Sequence, residues 1–574
     1  MTRTRMSPAE LLLLTLLLVA GTALWLLHAR AWDLGGRSPV LNYDTAQYAL
    51  AARELAWHGR LATPYALPIE LVTQAHPPWP LAVLQPGLVL VEALVFKLVP
   101  ARGAVAGSDP RAWLTLLLPF CSFLFLGAAL ALASRYLFAR WWPDAPAEVR
   151  IGAAFVLGLS FLLDPEAQHF AIGGFTELPF TVGLLFALLG LALEVPGRRP
   201  FAFGLVLGVA GLFRANMLWL APLIALAGAW SAPGRRRART LVLVLAGFAA
   251  PLAPWWFYKW RTFGSPAWDL TRFVVWDGVG GRSWFSLYHL PELPELPSGG
   301  EARALIAAKV MKNLPDLVNA MLLGPRGLWL GGLVGWLAIV RPPRPLAAAG
   351  LAALAAGALG VLSAAASIPW LRYLFPTRIL LEPAGVLALG ALIVHLARGS
   401  LAPRARNLVF AAIAALAIGW GTWSSLRGNA EARSVSQERG VPSTPSITRL
   451  SILLNSRLAT GEPVMSNLGP ALAWGSLHPV LHLALTPADV AACRRRLEFR
   501  HVLLVFRTGR RAWPGWDELL EQPGFAATVP GLGVVREDRY RTRDGFTVVW
   551  LELGPLAPQV AGRGGPPPPA LAAR

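Results

Sequence analysis

Two charged positions sit where the surrounding chain is otherwise apolar. Asp44 lies in "LNYDTAQYALAAREL", residues 41 to 55, a short way past the first long apolar segment. If that stretch is helical, Tyr48 follows one turn along the same face. An acid at the outer end of a first membrane span is placed where a membrane enzyme could use it. A plainer account is also open: Asp44 followed by Gln47 fits a capping box, with the acid only starting a helix over 45 to 57. Arg214 belongs to Arg214-Ala215-Asn216, between "FAFGLVLGVAGLF" and "MLWLAPLIALAGAW". The first of these is about 20 Å long as a helix, against a hydrocarbon core of about 30 Å. Two half-length helices would therefore meet at a charged elbow below the outer surface. An arginine at that depth is costly unless it faces water or an anion, or snorkels from a short span.

The elements that must position these residues follow from composition. The chain has 574 residues, 55% of them hydrophobic and 15% charged, with a mean hydropathy of +0.50. Several runs extend for about 18 or more residues with few charges, the signature of membrane spans. Lys and Arg outnumber Asp and Glu by 52 to 32, a net charge of +20. In a soluble chain that balance would suggest nucleic acid. Here the cations fall mainly between apolar runs, where they set topology, and no nucleic-acid partner is expected. Arg3 and Arg5 precede the run Leu11 to Leu27, which reads as an uncleaved first span because it is longer than a signal-peptide core. Basic gaps at Arg135, Arg140 and Arg150, at Arg198 and Arg199, at Arg235 to Arg239, at Arg341 and Arg344, and at Arg398, Arg404 and Arg406 are expected to be cytoplasmic.

With the N-terminus inside, that parity requires a single crossing between residues 81 and 134. Residues 112 to 134 supply it, and 81 to 99, interrupted by Gln85, Pro86, Glu92 and Lys97, read as a helix lying at the outer interface. Later spans are expected near 151 to 164, 178 to 195, as a pair within 201 to 230, then 241 to 258, 320 to 340, 345 to 368, 379 to 397 and 407 to 424. The expectation is an all-α polytopic membrane protein of about eleven crossings. It has outer loops at 29 to 111 and 259 to 319, the second with a helix at 301 to 313. From 430 to 555 the pattern becomes that of a small α/β domain, expected outside the membrane: helices near 446 to 458, 468 to 474 and 487 to 497 alternate with the strands "PVMSN", "HVLLVF" and "FTVVWLEL". The tail 556 to 574, rich in Gly and Pro, reads as disordered. Cys121 and Cys493 fall in an apolar run and in the polar C-terminal part, so no disulfide is expected. The sequence has no CxxC and no metal-ligand spacing. No cofactor is expected, and a divalent cation has nothing in the spacing to support it.

Several stretches together resemble the integral-membrane glycosyltransferases of the GT-C class, bacterial polyprenyl-phosphate-sugar-dependent enzymes that include the aminoarabinose transferases and protein O-mannosyltransferases. "YDTAQYALAARELAWHGRLATP" is similar to their first outer loop, and "HPPWP" to the "KPPL" that opens their interfacial helix. "FTELPF" is similar to their acid-containing second outer loop, "GLFRAN" to "LTRPN", "APWWFYKWRTFGSP" to "APWLIRNYRVFGSP", and "RYLFP" to the start of a late span. The match runs over about residues 10 to 400, and the C-terminal unit resembles an outer domain attached to many members. Two departures stand out. Thr45 replaces the second acid of an Asp-Glu pair, and His76 replaces a lysine.

The resemblance implies a fold and a reaction: transfer of a sugar from a polyprenyl-phosphate donor to a cell-envelope acceptor at the outer face of the cytoplasmic membrane. Asp44 corresponds to the family's base, which takes a proton from the acceptor hydroxyl. Arg214, Arg372 and a protonated His76 are candidates for the donor phosphate; the alternative for His76 is a polar residue before a Pro-Pro turn. Glu177 either orients a sugar hydroxyl, assists the acid at 44, or is a glutamate favoured at a helix N-terminus. Tyr48 either stacks on sugar or is an interfacial aromatic. A transporter or flippase of lipid-linked sugars is the alternative function. It would show paired intramembrane charges, internal repeats and access from both faces, whereas here the polar residues gather at the outer ends of spans.

Overall fold

The computed structural model describes residues 7–555 apart from 35, 100–108, 110, 142–146, 398–401, 439–441, 508–515, 517–520 and 530. The tail expected to be disordered lies outside the described residues. Among the described residues six helices are long and apolar enough to cross a membrane: Pro8–Ala31, Arg111–Phe138, Gly234–Phe263, Arg344–Ala366, Phe375–Leu396 and Asn407–Val435. Four shorter apolar helices, Val149–Leu162, Glu177–Ala192, Pro200–Phe213 and Met217–Ser231, fall below span length, and Gly299–Leu322 with Arg326–Val340 forms a pair bent by 87°. The chain is a multi-pass integral membrane protein, mainly helical, with a small C-terminal sheet region. Most segments read as crossings are single apolar helices, several of them short because turns interrupt them, as at Arg214-Ala215-Asn216, while the one expected at 320 to 340 is broken at the bend between Leu322 and Arg326. The helix Pro86–Leu98, within the stretch read as interfacial, has 13 residues, too few for a 30 Å core by about a third.

The chain divides into two compact units. The first comprises residues 1–35, 116–253 and 306–437. Its helices approach closely through small residues. A side chain at Gly204 would collide with the Val244 carbonyl and one at Gly247 with that of Phe201, so Pro200–Phe213 and Arg237–Phe263 meet backbone to backbone. A buried ionic cluster fixes the start of Phe375–Leu396. Arg378 donates to Asp164 at 3.0 Å, to Glu166 at 3.1 Å and to Glu382 at 2.9 Å, and Arg326 donates to Glu382 at 2.7 Å. Asp164 also caps the short helix Pro165–Ala171 by accepting from the backbone N–H of Glu166 and Ala167. A buried arginine with three carboxylates is held strongly in register, because losing any one partner strands charge away from water.

The second unit comprises residues 36–115, 254–305 and 438–574. Its described residues include eight strands: β1 (Ala62–Thr63), β2 (Tyr65–Ala66), β3 (Trp79–Pro80), β4 (Val464–Ser466), β5 (Val480–His482), β6 (His501–Arg507), β7 (Val534–Arg541) and β8 (Phe546–Leu553). β1 and β3 pair with each other, and the other six form a sheet in the order β2-β5-β4-β6-β8-β7. The centre of this sheet is parallel, and β6, β8 and β7 are antiparallel. Its edge strand β2 comes from the segment that follows the first long helix and pairs in parallel with β5, Tyr65 opposite Val480. The core is shared in the same way: Ala66, Leu71 and Trp79 pack with Met465, Leu481, Val502 and Val549. The α/β layer read from the C-terminal sequence therefore continues into a loop some 400 residues earlier.

Candidate functional site

In the first unit three element ends converge on one carboxylate. Glu177 begins the helix Glu177–Ala192, Arg214 ends Pro200–Phe213, and Arg372 lies in the 3-10 turn Leu371–Tyr373. Each charge suits its place, since a helix N-terminus favours an anion and a C-terminus a cation. Arg214 has extended backbone (φ −147°, ψ 133°), which stops the helix and swings its side chain out of the helical path. Its guanidinium reaches Glu177 Oε1 at 2.7 Å, and that of Arg372 reaches the same oxygen at 2.9 Å. The Glu177 side chain is fully buried, Arg214 is 11% exposed, and Arg372 is 31% exposed. Aromatic rings flank the cations: Tyr373 lies 5.7 Å from Arg214, and Phe175 lies 5.2 Å from Arg372. Two guanidiniums against one carboxylate leave a net positive charge, with the more open arginine at its accessible side. Such a pair can seat an anion with planar, forked donors.

In the second unit Asp44 lies in the first turn of the helix Tyr43–His58, which ends at Gly59 in the left-handed conformation. The N-cap is Asn42, whose side-chain oxygen accepts from the N–H of Asp44 at 3.1 Å and of Thr45 at 3.5 Å. The capping role considered for Asp44 thus belongs to Asn42, and the Asp44 carboxyl, half-buried, is not committed to starting the helix. Beside it, the Tyr43 hydroxyl lies 2.5 Å from that of Tyr65, and the Tyr65 hydroxyl lies 2.9 Å from His482 Nδ1. Burial pushes the Glu70 carboxyl up to about 7, although the Leu67 N–H donates to it at 2.7 Å. Burial also holds His289 down at about 4 and His482 well below the usual imidazole range.

Of the residues singled out in the sequence, Glu177, Arg214 and Arg372 come together. Arg214 is ion-paired and nearly covered. Glu177 sits at a helix N-terminus, one of the places considered for it. Its Oε1 is shared by the two arginines, while its Oε2 is buried without a hydrogen-bond partner. Tyr48 is buried, 9% exposed. His76 is exposed, in a turn closed by the Gln74 side chain donating to the His76 and Pro78 carbonyls. Among the described residues no group of three or more His, Cys, Asp or Glu is arranged to hold a metal ion. Sequence reasoning missed Tyr43, Tyr65, Glu70, His289 and His482. Only Tyr43, directly before Asp44, carried a local signal; Tyr65 and His482 are brought together by the pairing of distant strands.

No protein-family model matches the chain, and no curated protein sequence matches it. Solved structures do match. The chain is similar to ArnT from Cupriavidus metallidurans bound to undecaprenyl phosphate, with 15% identity, a TM-score of 0.51, and coverage of 93% of this chain and 97% of that one. It is similar to ArnT from the same organism in the apo state, with 16% identity, a TM-score of 0.52 and the same coverage. Apolar helices, buried arginine cluster and C-terminal sheet together thus build a chain with the fold of ArnT, the GT-C type of membrane protein.

Proposed function

We propose that the chain is a membrane glycosyltransferase that moves a hexosyl or pentosyl group from a polyprenyl-phosphate donor to a cell-envelope acceptor, whether lipid, glycan or protein. The reaction takes place on the outer face of the cytoplasmic membrane, where the C-terminal domain also lies. The observation that carries this reading is the convergence of Arg214 and Arg372 on buried Glu177, in a chain with the fold of a protein that binds undecaprenyl phosphate. In this reading the arginines hold the donor phosphate. Asp44 takes the proton of the acceptor hydroxyl as its oxygen attacks the anomeric carbon. The bond from that carbon to the phosphate oxygen breaks, and the departing phosphate carries negative charge that the guanidiniums stabilise. His76, exposed in its turn, is a further cation for the same phosphate when protonated.

Titration of the purified protein in nanodiscs with undecaprenyl phosphate tests the seat. Arg214→Ala should weaken binding strongly, and Arg214→Lys should restore only part of it, because an ammonium lacks the planar fork. Wild-type binding in both variants would remove Arg214 from the site. A flippase would instead move the lipid-linked sugar between leaflets intact and release no sugar.

A further inference from the structure

Tyr43, Tyr65 and His482 are three polar aromatic groups in mutual edge-on contact, with ring centroids 5.9, 5.6 and 5.7 Å apart. Tyr65 is 2% and His482 6% exposed. Buried hydroxyls and imidazoles cost free energy unless hydrogen-bonded, and once bonded they fix direction in a way that apolar packing does not. With His482 kept neutral by burial, Nδ1 can accept from the Tyr65 hydroxyl, and the Tyr65 oxygen can accept from Tyr43. The far end of the chain is fixed in turn. His482 closes strand β5, next to β2 in the sheet, and the His289 ring lies 4.8 Å from it. Gly469 has a positive φ of 52°, and a side chain there would sit 2.5 Å from His482 Nδ1. The near end is Tyr43, the first residue of the helix whose second residue is Asp44.

We propose that Tyr43, Tyr65 and His482 form a positioning chain through which the C-terminal sheet holds the helix end that carries Asp44, with Tyr65 as its central link. The proposal rests on Asp44 being the base, and it gives the C-terminal segment a task in the reaction. It makes these three residues positioning residues, since they act on the reaction only through Asp44. A displacement of about 1 Å at a reacting group can cost about a hundredfold in rate, so a remote hydroxyl can matter to turnover without touching substrate.

The test uses the full chain in nanodiscs. Hydrogen exchange is followed at the amides of residues 44 to 47, and turnover is measured with undecaprenyl-phosphate-linked sugars extracted from the producing cells. Tyr65→Phe keeps the ring and removes the link. It should speed exchange at those amides about tenfold while the rest of the sheet stays protected. It should also lower kcat about ten- to a hundredfold with donor KM unchanged. His482→Asn, which keeps a polar group near the Nδ1 position, should retain more activity than His482→Leu. Tyr43→Phe breaks the same bond from the more exposed side and serves if Tyr65→Phe misfolds. Unchanged exchange and kcat in the Phe variants would overturn the chain, as would equal losses in the two His482 variants. Asp44→Asn run alongside separates the two ideas: an inactive Asp44→Asn with a fully active Tyr65→Phe overturns the positioning chain alone, and an active Asp44→Asn overturns both.

Discussion

Replacing Glu177 by Gln should make the empty protein less stable and its hold on a lipid phosphate stronger, two changes of opposite sign. The carboxylate oxygen lies 2.7 and 2.9 Å from two guanidiniums. At an effective dielectric constant of 20, each attraction is about 6 kcal/mol before desolvation is counted. The net cost of removing one partner from a buried ionic group is smaller, about 3 kcal/mol or somewhat more, because the remaining charges are left without their counterion. A glutamine keeps the shape and one acceptor oxygen but not the charge. The two arginines then face each other uncompensated, and an incoming phosphate replaces the missing anion. Undecaprenyl phosphate should therefore raise the unfolding temperature of Glu177→Gln by more than it raises that of the wild type, with apparent affinity higher by about tenfold, or about 1.4 kcal/mol. Thermal unfolding in nanodiscs, with and without the lipid, reads both effects. An equal shift in wild type, Glu177→Gln and Arg214→Ala would refute the idea that this cluster seats the phosphate.

Three further outcomes follow from the same geometry. Asp44→Asn should leave a folded protein with transfer lowered by about a hundredfold or more, whereas Asn42→Ala should cost about 1 kcal/mol of stability as the true cap; unfolding curves and transfer rates of the two variants check the division. Glu70, buried with its carboxyl near 7, binds its proton more tightly when folded than when unfolded, so it destabilises the fold progressively as pH rises from about 4.5 to 7. Glu70→Gln should be the more stable protein at pH 8 by about 3 kcal/mol, with the difference vanishing below pH 4.5; a constant difference across pH would contradict the assignment. His289, held near 4, has the opposite sign: its contribution is present above pH 6.5 and is lost as pH falls toward 4, so His289→Gln should flatten the acid side of the stability profile.

Much of the membrane part was legible because a bilayer imposes a simple rule on sequence. Long apolar runs become helices, and a run cut by Arg214-Ala215-Asn216 becomes two short ones, as the structure shows. Glu177, Arg214 and Arg372 were picked out separately, Arg214 by its charge beside a short apolar run and the other two through the family resemblance, and nothing in the sequence joined them. Their sharing of one oxygen depends on helix packing that no local pattern encodes. The cap was misassigned by two residues because Asn42 and Asp44 are both good N-caps, and only the backbone shows which one has the non-helical conformation. β2 was invisible for a different reason. Two residues carry no periodicity, and Tyr65–Ala66 becomes a strand only because β5 lies beside it. The tyrosine and histidine cluster depends on that pairing and so could not be read without it.

The account turns on transfer from a lipid phosphate, and the most direct test follows the sugar itself. The purified chain in nanodiscs is given radiolabelled undecaprenyl-phosphate-linked sugar together with an envelope extract, and the label is traced by mass and by partition. The account predicts label moving to an envelope acceptor with one undecaprenyl phosphate freed for each sugar moved, no transfer by Asp44→Asn, and weak transfer by Arg214→Ala. Label that stays on the undecaprenyl carrier throughout, or moves equally well with all three proteins, would contradict it.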